Sequence, residues 1–235
     1  MSYRELLLLF ATAFLPPIIY AIWIRNTERF NRERWGAIAV CFIWGASIAI
    51  IAALILEITL DVSVTVSLRE GSLIQIIATI MIAPFAEELV KPLALRTNIV
   101  KQELRELEDG LILGAVAGLG FSATENLLYG MGFLSEGLVY FLIFMSLRSV
   151  GACLLHASAT ALTGYGYGKK LLNHTSLIRV VPYFVAAMLM HGMYNFLVSW
   201  EQIGSFMGLL SALLLVYISI KYVRGKIKQL DGMNR

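Results

Sequence analysis

The sequence predicts an all-α protein, a polytopic membrane helix bundle of about seven transmembrane helices. Three observations predict it. The 235-residue chain is 58% hydrophobic and 15% charged, whereas a soluble domain is about half apolar and a quarter charged. Its apolar residues gather into seven runs, each able to supply the roughly 20 residues that cross a bilayer as a helix. Fifteen of its nineteen Lys and Arg residues fall in alternate gaps between those runs.

The runs cover residues 5–24, 35–57, 72–95, 110–130, 137–167, 180–199 and 203–222. No small-residue cleavage site follows the first, so it is expected to be a retained span rather than a signal peptide. The fifth exceeds one straight crossing and is expected to tilt or kink. The gaps are too short for a soluble domain, and no internal repeat is visible. Residues 1–235 are therefore expected to form a single integral membrane domain. Cys41 and Cys153 both lie within spans, away from any C-x-x-C spacing, which argues against a disulfide or a metal knuckle.

The basic residues orient the bundle. Gap 25–34, "RNTERFNRER", holds four Arg, gaps 96–109 and 168–179 hold three Lys or Arg each, and the tail from 221 holds five. The opposite side has only Arg4 and Arg69. The positive-inside rule then puts the C-terminus in the cytoplasm and the N-terminus outside. Trp23, Trp35 and Trp200 fall near expected interfaces, as aromatic belts do. No basic stripe interleaved with aromatics suggests nucleic acid. The surroundings implied are a lipid bilayer, and nothing indicates the oligomeric state.

Against this apolar background seven ionisable residues stand out within spans: Glu87, Glu88, Lys91, Glu125, Arg148, His156 and His191. A charged group at a helix centre costs about 2.5–3.5 kcal/mol on insertion scales and marks a functional candidate. In "PFAEELVKP", residues 84–92, Lys91 follows Glu87 by four and Glu88 by three, so the three share one helix face. A structural ion pair accounts for one carboxylate, and Glu87 is left over. In "GAVAGLGFSATENLLYG", Gly114 and Gly118 form a G-x-x-x-G that suits close helix packing, and the Glu125-Asn126 pair needs a partner from another helix. His156, Thr160 and Gly164 recur every fourth residue, as do His191 and Asn195 in "MHGMYNFL". One buried His ordinarily makes an interhelical hydrogen bond. Two Glu sites and two His sites on four successive spans supply a base with either metal ligands or an oxyanion clamp, the needs of water activation.

The motifs "EELVK", "FSATEN", His156 with Gly164, and "HGMYN" resemble those of the PrsW family, within the clan that includes CAAX prenyl endopeptidases and Abi proteins. The resemblance covers a protease-like core, residues 84–195. At the second motif the CAAX branch ends in His, and Glu125 follows the PrsW pattern instead. The resemblance implies intramembrane hydrolysis of peptide bonds in a membrane-anchored protein substrate, anti-sigma factors being the associated class. It implies that Glu87 is the water-activating base beside Glu88, that Glu125 and His156 complete the polar centre, and that His191 and Asn195 hold the oxyanion or His191 is a ligand.

Two chemistries stay open on the residues. In one, Glu125, His156 and His191 bind Zn²⁺, since three protein ligands with one open position suit a catalytic ion. In the other there is no metal, and Glu87 and Glu125 act as base and acid. No H-E-x-x-H is present, which excludes a zincin-like helix. The span limits set Glu87 and Glu125 about 10 Å apart in depth at 1.5 Å per residue. The alternative class is an ion or metal transporter with a Glu/His path; the small size and lack of repeats weigh against it.

Overall fold

The computed structural model describes residues 2–199 and 205–233. Seven of its helices, Tyr3–Arg25, Trp35–Ser67, Leu73–Arg96, Leu107–Glu136, Leu138–Leu172, Leu177–Ser199 and Phe206–Met233, are long and apolar enough to cross a membrane. The protein is an all-helical, multi-pass membrane bundle. Trp200, expected near an interface, lies outside the described residues.

Helix α1 (Tyr3–Arg25) starts at a capping box in which Ser2 and Glu5 bond each other's backbone, satisfying N–H groups that a helix start leaves open. The second span joins α2 (Trp35–Trp44) and α3 (Ile50–Ser67) through a π-helical turn at Gly45–Ala49. That turn lets α2 press on the centre of the bundle, where a Cβ on Gly45 would overlap the Ala117 carbonyl. Thr124 Oγ1 donates to the carbonyl of Ala46 in the turn at 2.6 Å. The span runs ten residues beyond the expected limit at 57, so that Glu57 lies well within it and not at its end.

Helix α4 (Leu73–Val90) passes straight through Pro84. The break comes later, in a 3₁₀ segment, Lys91–Arg96, with Pro92 near its start. Pro92 removes an N–H that a continuing α-helix would use, and Trp44 Nε1 donates to the Val90 carbonyl at 3.2 Å. Short α5 (Asn98–Lys101) leads to α6 (Leu107–Phe133). The long fifth run is two helices, α7 (Leu138–Val150) and α8 (Ala152–Leu172), meeting at Gly151. Helices α9 (Val181–Ser199) and α10 (Ser205–Met233) complete the chain.

Helix α6 is the axis. Of its most apolar window 78% is buried, against 22–39% in the other spans. Its small residues explain why. Gly110, Gly114 and Gly118 lie directly on the backbone of Gly164, Thr160 and His156 in α8, and a Cβ on Gly114 would come 2.6 Å from the Thr160 carbonyl oxygen. Without side chains between them the two backbones approach closely, which sets the α6 and α8 polar groups face to face. The outer helices turn Ile51, Ile55, Ile58 and Val62 of α3, and Leu210, Leu214 and Tyr217 of α10, outward, as lipid-facing surfaces require. Cys41 and Cys153 are free and buried.

Candidate active site

The last two turns of α4 carry Glu87 and Glu88 into the bundle, and Lys91, at the helix C-cap and still helical, lies one turn on from both. The Lys91 ammonium is fully buried. It donates to Glu87 Oε2 at 2.6 Å and to Glu88 Oε1 at 2.9 Å, and lies 2.8 Å from His156 Nδ1. It also sits 4.1 Å from the centre of the Phe121 ring. The lysine therefore serves both carboxylates, not Glu88 alone.

Lys91 also sets the tautomer of His156. An ammonium has only donors, so Nδ1 accepts and the ring proton sits on Nε2. That N–H donates to Glu125 Oε2 at 2.9 Å. Glu125 Oε2 accepts further from Arg148 Nη2 at 2.7 Å, and Arg148 Nε donates to Asn126 Oδ1 at 2.7 Å. The partner that Glu125-Asn126 needed from another helix is thus Arg148 of α7. Its guanidinium stacks 4.1 Å from the Tyr129 ring centre. Asn126 closes the network by donating from Nδ2 to Cys153 Sγ at 3.2 Å.

Glu88 is anchored on its other side. Thr160 Oγ1 donates to its Oε2 at 3.0 Å, and His191 Nδ1 lies 3.1 Å from its Oε1. The His191 and His156 rings meet edge to face, with centres 4.8 Å apart. The imidazole of His156 spans the depth offset between the carboxylates: Nδ1 is 3.7 Å from Glu87 Oε2 while Nε2 contacts Glu125.

A cavity of about 750 Å³ opens on this cluster, lined by Glu57, Glu87, Glu125, His156, His191 and Asn195 among others. Glu88 and Lys91 do not line it. Of the carboxylate pair, Glu87 faces the space a substrate and water can enter. The structure brings all six sequence candidates to one place. Arg148, noted in the sequence without a role, is central to the network. Glu57 was missed because the second span was expected to end there. Tyr129 and Tyr194 also line the cavity, and neither has a sequence signal that separates it from an interfacial aromatic.

Donor atoms of Glu87, Glu88, His156 and His191 all lie within 4.8 Å of one another. Glu125 stands outside this group, on the far nitrogen of His156. The donor set accommodates positive charge at its middle, since the Lys91 ammonium already touches three of the four residues. Three carboxylates, Glu87, Glu88 and Glu125, face two fixed cations, Lys91 and Arg148. The ionised cluster is short of one positive charge, which a proton or a metal ion can supply.

A sequence profile of the PrsW family of intramembrane metalloproteases matches residues 33–223. The chain belongs to that family. It is also 28% identical to Protease PrsW of Clostridioides difficile (strain 630) over 216 residues, spanning 90% of this chain and 86% of that one. No solved structure matches it significantly. As a member of the PrsW family the chain is a membrane-embedded peptidase acting on protein, and its buried Glu/His cluster is a donor set able to hold a metal. The match covers every helix that contributes to the cavity wall, α3, α4, α6, α7, α8 and α9, and the part of α10 that carries Leu209.

Proposed function

We propose that this chain is an intramembrane endopeptidase in which Glu87 activates water against a peptide bond of a membrane-anchored protein. The observation that carries the reading is the position of Glu87: within a membrane span, on the wall of the cavity, with both histidines beside it. A Glu87 oxygen takes a proton from water as the water oxygen attacks the scissile carbonyl carbon. That proton then goes to the departing amine, and carboxylate and amine products leave. Asn195 and His191, one helical turn apart on α9, face the cavity where donors would meet the developing oxyanion. Glu88 and Lys91 hold Glu87 in place from behind, and Glu125 with Arg148 fixes the His156 ring.

A Zn²⁺ ion suits this site, because two imidazoles and a carboxylate match its borderline-soft preference. The ligands would be His156 through Nδ1, His191 and Glu88, leaving Glu125 to orient His156 from Nε2, the usual support for a ligating histidine. When bound, the ion would lower the pKa of water and polarise the carbonyl. This assignment exchanges Glu88 for Glu125 relative to the set expected from the sequence, because the bond to Nε2 puts Glu125 on the wrong side of the ring.

One observation favours a metal-free variant. The lone pair that would ligate, on His156 Nδ1, is engaged by Lys91. In that variant Glu87 is the base, Glu125 the acid, and His156 the link between them. Elemental analysis of active, purified protein separates the two. The metal route expects about one bound Zn²⁺, cleavage stopped by a strong chelator and restored by Zn²⁺, and bound metal lost in His156→Ala and His191→Ala. Full activity with substoichiometric metal, and a bell-shaped pH profile, would leave only the carboxylate route. The substrates the family resemblance implies are membrane-anchored anti-sigma factors. Capture of bound proteins by Glu87→Gln, identified by mass spectrometry, tests that class.

A further inference from the structure

A second set of buried acids lies away from the cavity, where the loop 26–34 meets the start of α6 and the end of α10. Donor oxygens of Glu28, Glu33 and Asp109 lie within 4.8 Å of one another, and Glu28 also groups with Glu106 and Glu108. Glu28, Glu33 and Asp109 are each 2% exposed or less.

Most of these acids have recognisable local work. Asp109 Oδ2 accepts from the backbone N–H of Arg105 at 2.7 Å and of Glu106 at 2.8 Å, capping α6. Glu28 Oε1 accepts from the Asn31 N–H at 3.2 Å. Glu33 has no such work. Neither of its carboxylate oxygens has a hydrogen-bond partner, and neither does Glu28 Oε2. A carboxylate removed from water this way is costly unless something positive meets it.

The surrounding arginines do not fill that role. Arg25 Nε donates to the backbone carbonyl of Glu33 and Arg32 Nε to that of Glu28, each at 2.8 Å. Arg34 and Arg105 pair with Glu103. The guanidinium groups thus fasten the loop backbone and leave the Glu33 carboxylate unpaired. Burial, with the neighbouring carboxylates, holds the Glu33 carboxyl well above the usual range in spite of nearby Arg25, and holds Glu28 at about 7.

We propose that Glu28, Glu33 and Asp109 form a binding site for a hard divalent cation, Mg²⁺ or Ca²⁺, which ties the α1–α2 loop to the start of α6. The donors are all oxygen, with no His or Cys, and such a set selects these ions over Zn²⁺. The site is chemically distinct from the Glu/His cluster of the cavity and does not depend on how that cluster works. Its product is structural: the loop and α6 are held together at one end of the central helix.

The test uses the full-length protein in detergent after chelator treatment. Thermal unfolding is followed while Mg²⁺ or Ca²⁺ is added separately, and bound cation is counted by equilibrium dialysis on the wild type and His191→Ala. A ligand of the native state alone raises the unfolding temperature saturably. The expected result is such a rise with at least one cation and about one ion bound per chain. Glu33→Gln and Glu28→Gln should lose the rise, whereas His191→Ala should keep it. An unresponsive wild type, with no bound ion, overturns the proposal. So does a wild-type rise retained in Glu33→Gln. If Glu33→Gln is more stable than the cation-free wild type and the wild type ignores both cations, the acids simply hold protons. If the Gln variants fail to fold, the dialysis count decides: about one ion bound in both wild type and His191→Ala supports the site, and no bound ion, or an ion lost in His191→Ala, overturns it.

Discussion

Lys91 shows what one buried residue does here. Its ammonium has three donors, and all three are used, on Glu87, Glu88 and His156. Lys91→Met would leave two buried carboxylates without their nearest cation, a loss of about 3–5 kcal/mol for a broken buried pair. The expected outcome is a sharply lowered unfolding temperature and poor recovery of folded protein, read by thermal unfolding in detergent. Glu87→Gln should behave differently. The carboxamide keeps the shape but cannot accept a proton from water, so cleavage of a membrane-anchored peptide should vanish while the protein inserts and purifies normally. Wild-type turnover in that variant would remove Glu87 from the role of base. Asn195→Ala should slow cleavage by about 10²–10³, the usual cost of one oxyanion donor, and should retain more activity than Glu87→Gln. A loss equal to that of Glu87→Gln, in folded protein, would move Asn195 out of the clamp.

The decisive element is the pair α6 and α8. Glycines on α6 bring the helices close enough for Glu125 to reach His156. Gly118 packs on the His156 carbonyl, and the Thr160 hydroxyl lies 2.9 Å from where a Cβ would be. Gly118→Val should therefore wedge the helices apart, lowering the unfolding temperature and abolishing cleavage together. Gly36→Ala is the matched control, because nothing lies within 4 Å of its would-be Cβ; unfolding temperature and cleavage should both stay near wild type. Normal activity in Gly118→Val would show that the site tolerates a looser crossing. The α4 break belongs to this scale as well. Because the helix continues through Pro84 as far as Val90, Glu87, Glu88 and Lys91 keep the helical spacing that pairs the ammonium with both carboxylates.

Across the whole molecule, the loop 26–34, the segment before α6 and the end of α10 lie together at one end. Arg29 N donates to Asp231, Asn31 Nδ2 to Glu106, and Arg224 Nε to Thr27. These are the segments that hold most of the basic residues, so the basic bias belongs to one pole of the bundle. On the positive-inside rule we propose that this pole is the cytoplasmic one. A reporter active only in the cytoplasm, fused after Arg235, should be active. Silence in a well-expressed fusion would reverse the orientation.

Sequence alone determined the membrane class, the number of spans and the residues that do not belong in lipid. Each of these depends on local composition: a run of about 20 apolar residues is costly to leave in water, and a charge within it is costly to leave in lipid, whatever the rest of the chain does. The Glu87, Glu88 and Lys91 cluster was legible for the same reason, since helical spacing alone puts the three on one face. Tertiary structure decided everything that joins one helix to another. Nothing local says that Arg148 answers Glu125, that Glu57 reaches the cavity, or that Glu125 meets the nitrogen of His156 opposite Lys91. Those pairings depend on the rotation and depth of separate helices, set by where glycines allow backbones to touch and where α4 and the α7–α8 run break. A shift of one residue turns a helical side chain by about 100°, enough to move a carboxylate from ligand to support.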